Sequence, residues 1–231
     1  MSQFSKNKVL KYVFELVVII VGISISFLIE YKREINHKNN LKSRSLERII
    51  NNIKIDNEDY DFNLNAHKDA INAIDWLNRN YKNLALHNND TIGKYIQLAM
   101  FTSTTFYDNQ EEYRTLQNSG LIEFIDNQEI VIGLQNKYLN HEYMKHLEDE
   151  IDKYVFDLKE FRFNVVILNS NDTNVRGYPT DAKYVSNYNF PDKIIQALQD
   201  KRWWHNLYIN RINVLIESDK VLVDKINTEI K

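Results

Sequence analysis

The stretch NHEYMKH carries His141, Glu142 and His146, residue types that bind divalent metal ions. Their spacing argues against a site. A zinc-binding helix needs two imidazoles four residues apart, so that both lie on one face. His141 and His146 are five apart, about 140° around a helix. Glu142 and His146 do share a face, and read as an ordinary helical pair.

A second cluster, KRWWHNLYINR, places Trp203, Trp204 and Tyr208 among Lys201, Arg202 and Arg211. Aromatic rings interleaved with cations stack on nucleic acid bases or rest at a bilayer surface. Lysine and arginine number 29 against 32 acids, a net charge of −3, so no basic field recruits nucleic acid. At the start of a long helix, the same pattern expects one tryptophan in the core and the other across a helix junction. Trp203, Trp204 and Tyr208 are therefore carried as a possible interaction surface.

The third constellation lies in YVFELVVIIVGISISFLIEYK, where Glu15, Gly22 and Ser26 interrupt an apolar run. Helical steps bring Glu15, Ile19, Gly22, Ser26 and Ile29 to one face, with a small-xxx-small spacing from Gly22 to Ser26. Small residues let two membrane helices approach closely, and polar groups then find partners away from lipid. The simpler reading pairs Glu15 with Lys11 and returns the serine hydroxyl to its own backbone. A conducting pathway through Glu15 is the third possibility. The acids Asp56, Glu58, Asp59 and Asp61 read as a solvated helix surface. Zero cysteines exclude thiolate metal sites and a cysteine nucleophile. No Gly-rich phosphate loop, GxSxG elbow or local Ser-His-Asp arrangement is found. The chain reads as non-enzymatic, with no cofactor.

The elements that must position these residues follow from composition. Residues 12 to 29 span about 27 Å as a helix, close to a hydrocarbon core of about 30 Å. Thirteen of these eighteen are Val, Ile, Leu or Phe, enough to outweigh the roughly +3 kcal/mol that one carboxylate costs. No small-x-small cleavage site precedes the charged exit, so the segment reads as a retained anchor. The division expected is a short basic tail at 1–11, a transmembrane helix at 12–30 and a helical bundle at 31–231. The positive charges flanking the span are nearly balanced. A cytoplasmic N-terminus is favoured because the bundle, unlike the short charged tail, can be exported with little regard to charge.

Five glycines and two prolines in 231 residues favour a few long helices. Three seams with steps of three and four agree. The first runs Leu46, Ile50, Ile53, Asn57, Tyr60, Leu64, His67, Ile71, Ile74, Asn78 and Tyr81. The second runs from Leu147 through Ile151, Leu158 and Val165 to Leu168. The third runs from Tyr208 through Ile212, Leu215, Leu222 and Ile226 to Ile230, interrupted by Asp219. The fold class expected is all-α: one N-terminal transmembrane helix followed by a long-helix, coiled-coil-like bundle, roughly antiparallel. The repeated DNQE, at 108–111 and 126–129, predicts two capping boxes. Gly120 predicts a left-handed helix stop, and Pro191 a first helical turn. Residues 169–189 read as a long irregular segment bearing Tyr178, Tyr184 and Tyr188.

The anchor KYVFELVVIIVGISISFLIEYKRE, the middle EEYRTLQNSGLIEFIDNQEIVIGLQNKY and the closing IIQALQDKRWWHNLYINRINVLIESDKVLVDKI together resemble a domain-of-unknown-function family of small bacterial single-span proteins. The resemblance implies a single-pass anchor and a helical domain, and carries no activity or ligand. The expected function is a membrane-anchored helical interaction or sensory scaffold that self-associates. The alternative is an oligomeric, ion-conducting membrane effector gated by the helical domain. The expected partners are the lipid bilayer, a second copy and an unidentified protein, with the bundle periplasmic at a bacterial inner membrane.

Overall fold

The structure is a computed structural model that describes residues 3–168, 181–186 and 190–230. About 85% of it is helical, which makes the chain all-α. Helix α1 runs unbroken from Gln3 to Asn80, about 117 Å at 1.5 Å per residue. It is followed by α2 (Asn89–Phe101), α3 (Glu111–Asn118), α4 (Gln128–Val165) and α5 (Asp192–Glu229). Two strands, β1 (Val166–Leu168) and β2 (Ala182–Tyr184), form an antiparallel pair with Ile167 opposite Lys183.

The bundle consists of the second half of α1, α4 and α5. Lys42 meets Glu229 at one end, and Asp75 meets Arg202 towards the other, so α5 runs antiparallel to α1. Arg211 bonds Asn140 and Tyr208 bonds Glu148, so α5 is antiparallel to α4 as well. Helices α1 and α4 therefore run in the same direction. Helix α1 runs through residue 30, the boundary expected between span and bundle, without interruption, and among the described residues its first buried side chain is Lys42.

Three apolar clusters lie along the bundle axis. Nearest the N-terminal segment, Leu46, Ile49 and Ile53 pack with Leu116, Ile130, Leu134 and Ile226. In the middle, Tyr60, Phe106, Met144, Leu147, Ile151, Tyr208 and Ile212 form the second. At the far end, Ala73, Ile74 and Leu77 join α2, both strands and the start of α5. Strand β2 presses its backbone onto α2 at Gly93, where a Cβ atom would run into the Ala182 carbonyl oxygen.

Several expectations need correction. The first seam is only half of the buried stripe, because Lys42, Ile49, Asp56, Asn63, Ala70 and Leu77 form a second buried line at seven-residue spacing. Three polar members, Lys42, Asp56 and Asn63, hid this line from a search for apolar residues. Asp56 is fully buried, while Glu58 and Asp61 are exposed as expected. Asp219 does not interrupt the third seam; it is buried within it. Neither DNQE forms the predicted box. Helix α3 starts from Gln110 with no side-chain cap, and α4 is capped by Asn127, whose side chain accepts from the Glu129 amide. Asp108 is drawn away by His141 and Lys145, and Glu229 takes the Asp126 and Asn127 amides.

Gly120 does adopt the left-handed conformation, at φ 70°, which lets the chain turn after α3. Pro191 sits one residue ahead of α5 rather than inside its first turn. Part of the expected irregular segment is β2, and Tyr184 is buried in the far cluster. Residues 169–180 and 187–189, with Tyr178 and Tyr188, lie outside the described residues.

Candidate functional site

The seams place polar residues inside the bundle, and inside they must find partners or cost several kcal/mol each. They do so in two layers, which lie between the apolar clusters. In the layer nearer the N-terminal segment, Lys137 of α4 reaches between α1 and α5. Its Nζ donates to Asp219 Oδ2 at 2.8 Å and lies 3.0 Å from Asp56 Oδ2. All three side chains are essentially dry. Two carboxylates around one ammonium leave the trio one positive charge short. Burial accordingly raises the Asp219 pKa, against the opposing pull of Lys137.

The same ammonium approaches the Tyr60 hydroxyl at 3.4 Å. Tyr60 and His141 Nε2 lie 2.5 Å apart, and His141 Nδ1 lies 2.7 Å from Asp108 Oδ1. Asp108 can only accept, which fixes the proton of a neutral His141 on Nδ1 and leaves Nε2 to accept from Tyr60. Burial lowers the His141 pKa, and Lys137 adds to that effect against the pull of Asp108. For Asp108 burial acts upward, but the bonds from His141 and Lys145 outweigh it and the net shift is down. This is the acid, base and hydroxyl order of hydrolytic triads. Chemistry there has no entry, however, because Tyr60 is fully buried and stacks on Phe106 at 5.0 Å.

The second layer joins all three bundle helices. His67 of α1 and His205 of α5 approach Nδ1 to Nδ1 at 2.7 Å, and His67 Nε2 lies 2.8 Å from Thr104 Oγ1. Thr104 also bonds the Tyr208 hydroxyl, which donates to Glu148 Oε1 at 2.6 Å. One directional assignment satisfies the chain: His205 donates to His67, His67 to Thr104, Thr104 to Tyr208 and Tyr208 to Glu148. It leaves only the His205 Nε2 lone pair without a partner. Reversing it would leave a buried N–H unpaired. Burial lowers the His67 pKa to about 3 and His205 well below its ordinary value. It raises Glu148 to about 7.

Lys201 completes the layer. Its fully buried Nζ donates to the carbonyls of Ala99 and Met100 at 3.1 Å each, at the negative end of α2. Burial brings its pKa down to about 7.

The segment between α2 and α3, residues 102–110, crosses both layers as a strap without regular structure. Its Phe106 amide donates to Glu148 at 2.7 Å and its Tyr107 amide to Asp59 at 3.1 Å. Asn109 donates to Asp56 at 2.8 Å. Thr104 and Asp108 hold the two histidines already described. Carboxylates on the helices thus replace the backbone partners that an irregular segment lacks.

The residues singled out in the sequence fare differently. Glu15 lies 3.9 Å from Lys11 and is about half exposed. The Ser26 hydroxyl returns to the Gly22 carbonyl at 3.0 Å. Both contacts follow the simpler reading of this face within a single chain. Trp203 is exposed, Trp204 packs partly against the middle cluster, and Tyr208 is buried. Tyr208 therefore leaves the proposed interaction surface, because its ring stacks on His67 at 4.0 Å inside the core. Glu142 and His146 are exposed. Among the described residues, no three His, Cys, Asp or Glu side chains are grouped to hold a metal ion.

The sequence reading missed Lys137 and Glu148, took Lys201 only as one cation of the KRWWHNLYINR cluster, and treated His67 and Asp219 as blemishes in apolar seams. The signal available was their register, since each falls on a helix face that is otherwise apolar. Comparison with known protein families, with curated proteins and with solved structures finds no match.

The N-terminal half of α1 contrasts with this interior. By length and composition the helix Leu10–Asn80 could cross a membrane: an 18-residue stretch of it has a mean hydropathy of 2.5, and none of that stretch is buried within the chain.

Proposed function

We propose that the protein is a membrane-anchored helical interaction or sensory scaffold that works by positioning and self-association, without catalysis. The observation that carries this reading is the all-round exposure of Val13 to Ile29. A soluble amphipathic helix has a polar face to show to water, and a core helix is covered by its neighbours. This segment has neither, and a bilayer supplies the cover that the chain does not. The basic residues at both ends suit headgroups, and the periplasmic face of a bacterial inner membrane is the placement proposed for the bundle.

Continuity gives the anchor a consequence. A helix entering the bundle without a break transmits tilt or rotation of the bundle to the segment in lipid, and a flexible linker would not. Glu15 paired with Lys11 at the segment's edge favours a tether over a conducting pathway. On the outer face of α5, Trp203, Val214 and Val221 are 55%, 55% and 54% exposed and share one side of the helix, a surface suited to an apolar protein partner.

Self-association is proposed to use Gly22 and Ser26. Cross-linking in membranes tests it: the pair Gly22→Ile and Ser26→Ile is expected to abolish cross-linked oligomers of the full chain. Oligomers unchanged in that pair would contradict the contact.

A further inference from the structure

Helices α4 and α5 meet along a crevice on the outside of the bundle. Leu222 closes on α4 at Gly133, where a Cβ atom would lie 2.9 Å from Leu222 Cδ1. Asn140 accepts from Arg211, whose guanidinium also lies 4.7 Å from the centre of the Tyr143 ring. One residue before each of these α4 contacts, a large apolar side chain turns outward: Ile132 is 54% exposed and Leu139 65%. Val214 and Val221 of α5 repeat the seven-residue spacing, three residues after Arg211 and four before Lys225, which reaches Glu129 of α4. With Trp203 the α5 row extends from residue 203 to 221, about 27 Å at 1.5 Å per residue. Apolar residues seven apart on two antiparallel helices are spaced to receive the apolar stripe of a third helix.

An acid follows three of these residues at a distance of three positions, one turn on and further from the crevice: Glu142 after Leu139, Glu217 after Val214 and Asp224 after Val221, all exposed. Asp149 extends the α4 rim. The neighbouring cations are engaged: Lys145 with Asp108, Lys153 with Glu150, Lys220 with Glu217 and Lys225 with Glu129. Among the described residues, Glu142, Asp149 and Asp224 have no ion-pair partner.

These charges select the occupant. A second copy docked through the same face would set acid against acid across a two-fold axis. Lipid is a poor match, because α1 enters the bundle without a break and α4 and α5 run alongside it, so the crevice points along the anchor and away from the bilayer. We infer that the α4–α5 crevice is a docking groove for a basic amphipathic helix of another protein. Its apolar stripe rests on Ile132, Leu139, Val214 and Val221, and its lysines or arginines meet Glu142, Glu217 and Asp224. This rests on the scaffold reading above and supplies the chemistry of its partner.

The test uses the full chain in phosphatidylcholine nanodiscs and a fluorescein-labelled peptide of about 18 residues, the length of the α5 row. The peptide carries leucine at steps of three and four and lysine elsewhere. A second peptide has glutamate in place of lysine, and empty nanodiscs set the blank. Saturable anisotropy is expected for the lysine peptide and none for the glutamate peptide. Leu139→Gln with Val214→Gln, both at exposed positions, should weaken binding about tenfold or more. Glu142→Lys with Asp224→Lys should turn the preference towards the glutamate peptide. Equal binding of the two peptides, lysine-peptide binding unchanged in either double variant, or no saturable binding beyond the blank would overturn the groove. A subunit count that falls in Leu139→Gln with Val214→Gln would give the face to a second copy and overturn it as well. None of these variants touches Gly22 or Ser26, so cross-linked oligomers through the anchor test the scaffold reading separately.

Discussion

The two halves of α1 are turned inside out with respect to each other. From Leu10 to Tyr31 its large apolar side chains all face outward, while from Lys42 to Leu77 the helix buries Lys42, Asp56, Asn63 and His67. In the first half apolarity alone is needed, because lipid is indifferent to rotation about the helix axis. In the second half Lys42, Asp56 and His67 each have a partner on another helix, and a slip of one turn would strand them, whereas Asn63 bonds Asp59 of its own helix. The polar layers are therefore better placed to fix the register of α1, α4 and α5 than to stabilise them, since buried ion pairs add little net stability over apolar replacements.

The largest effect should come from breaking one side of that contrast at its centre. Lys137→Met leaves Asp56 and Asp219 buried without a cation, and urea denaturation should show a loss of about 3–5 kcal/mol. Replacing the whole trio, Asp56→Leu with Lys137→Met and Asp219→Leu, should recover at least half of that loss. Failure to recover would mean that the ions stabilise the bundle instead of specifying it. In the apolar half, Ile20→Arg should cost insertion about 3 kcal/mol and move protein into the carbonate-soluble fraction, with the denaturation midpoint of the bundle in detergent unchanged.

The smallest effect is a pH dependence. Glu148 holds its proton more tightly when folded, with a pKa of about 7 against an ordinary 4.5. Its share of stability is therefore greatest at low pH and is lost as pH rises towards 7. Glu148→Gln keeps an oxygen for the Phe106 amide and the Tyr208 hydroxyl but removes the charge. It should stabilise the fold by about 1 kcal/mol at pH 8 and by much less at pH 5.

The same contrast explains what was legible in the sequence. The apolar segment, the three long helices and the stop at Gly120 all follow from local patterns: hydropathy, seam spacing and a residue that tolerates positive φ. The buried layers do not, because Asp56 reads as surface until Lys137, eighty-one residues away, is seen to face it. The DNQE boxes failed for a related reason: Asp108 has a stronger partner in His141 than in its own helix start. Trp203 and Tyr208 sit five residues apart, yet one is exposed and the other dry. Spacing gives their faces, but packing decides which face is covered.

A nitroxide scan along α1 from residue 10 to residue 60 tests the inside-out account most directly. In liposomes carrying the full chain, dissolved oxygen should relax labels at 12–29 more than a water-soluble nickel complex does, at every position around the helix. Beyond residue 42 the two should alternate between protected and nickel-accessible faces every three to four residues. Nickel access along one face of 12–29, with the helical repeat of an ordinary soluble surface, would contradict the account.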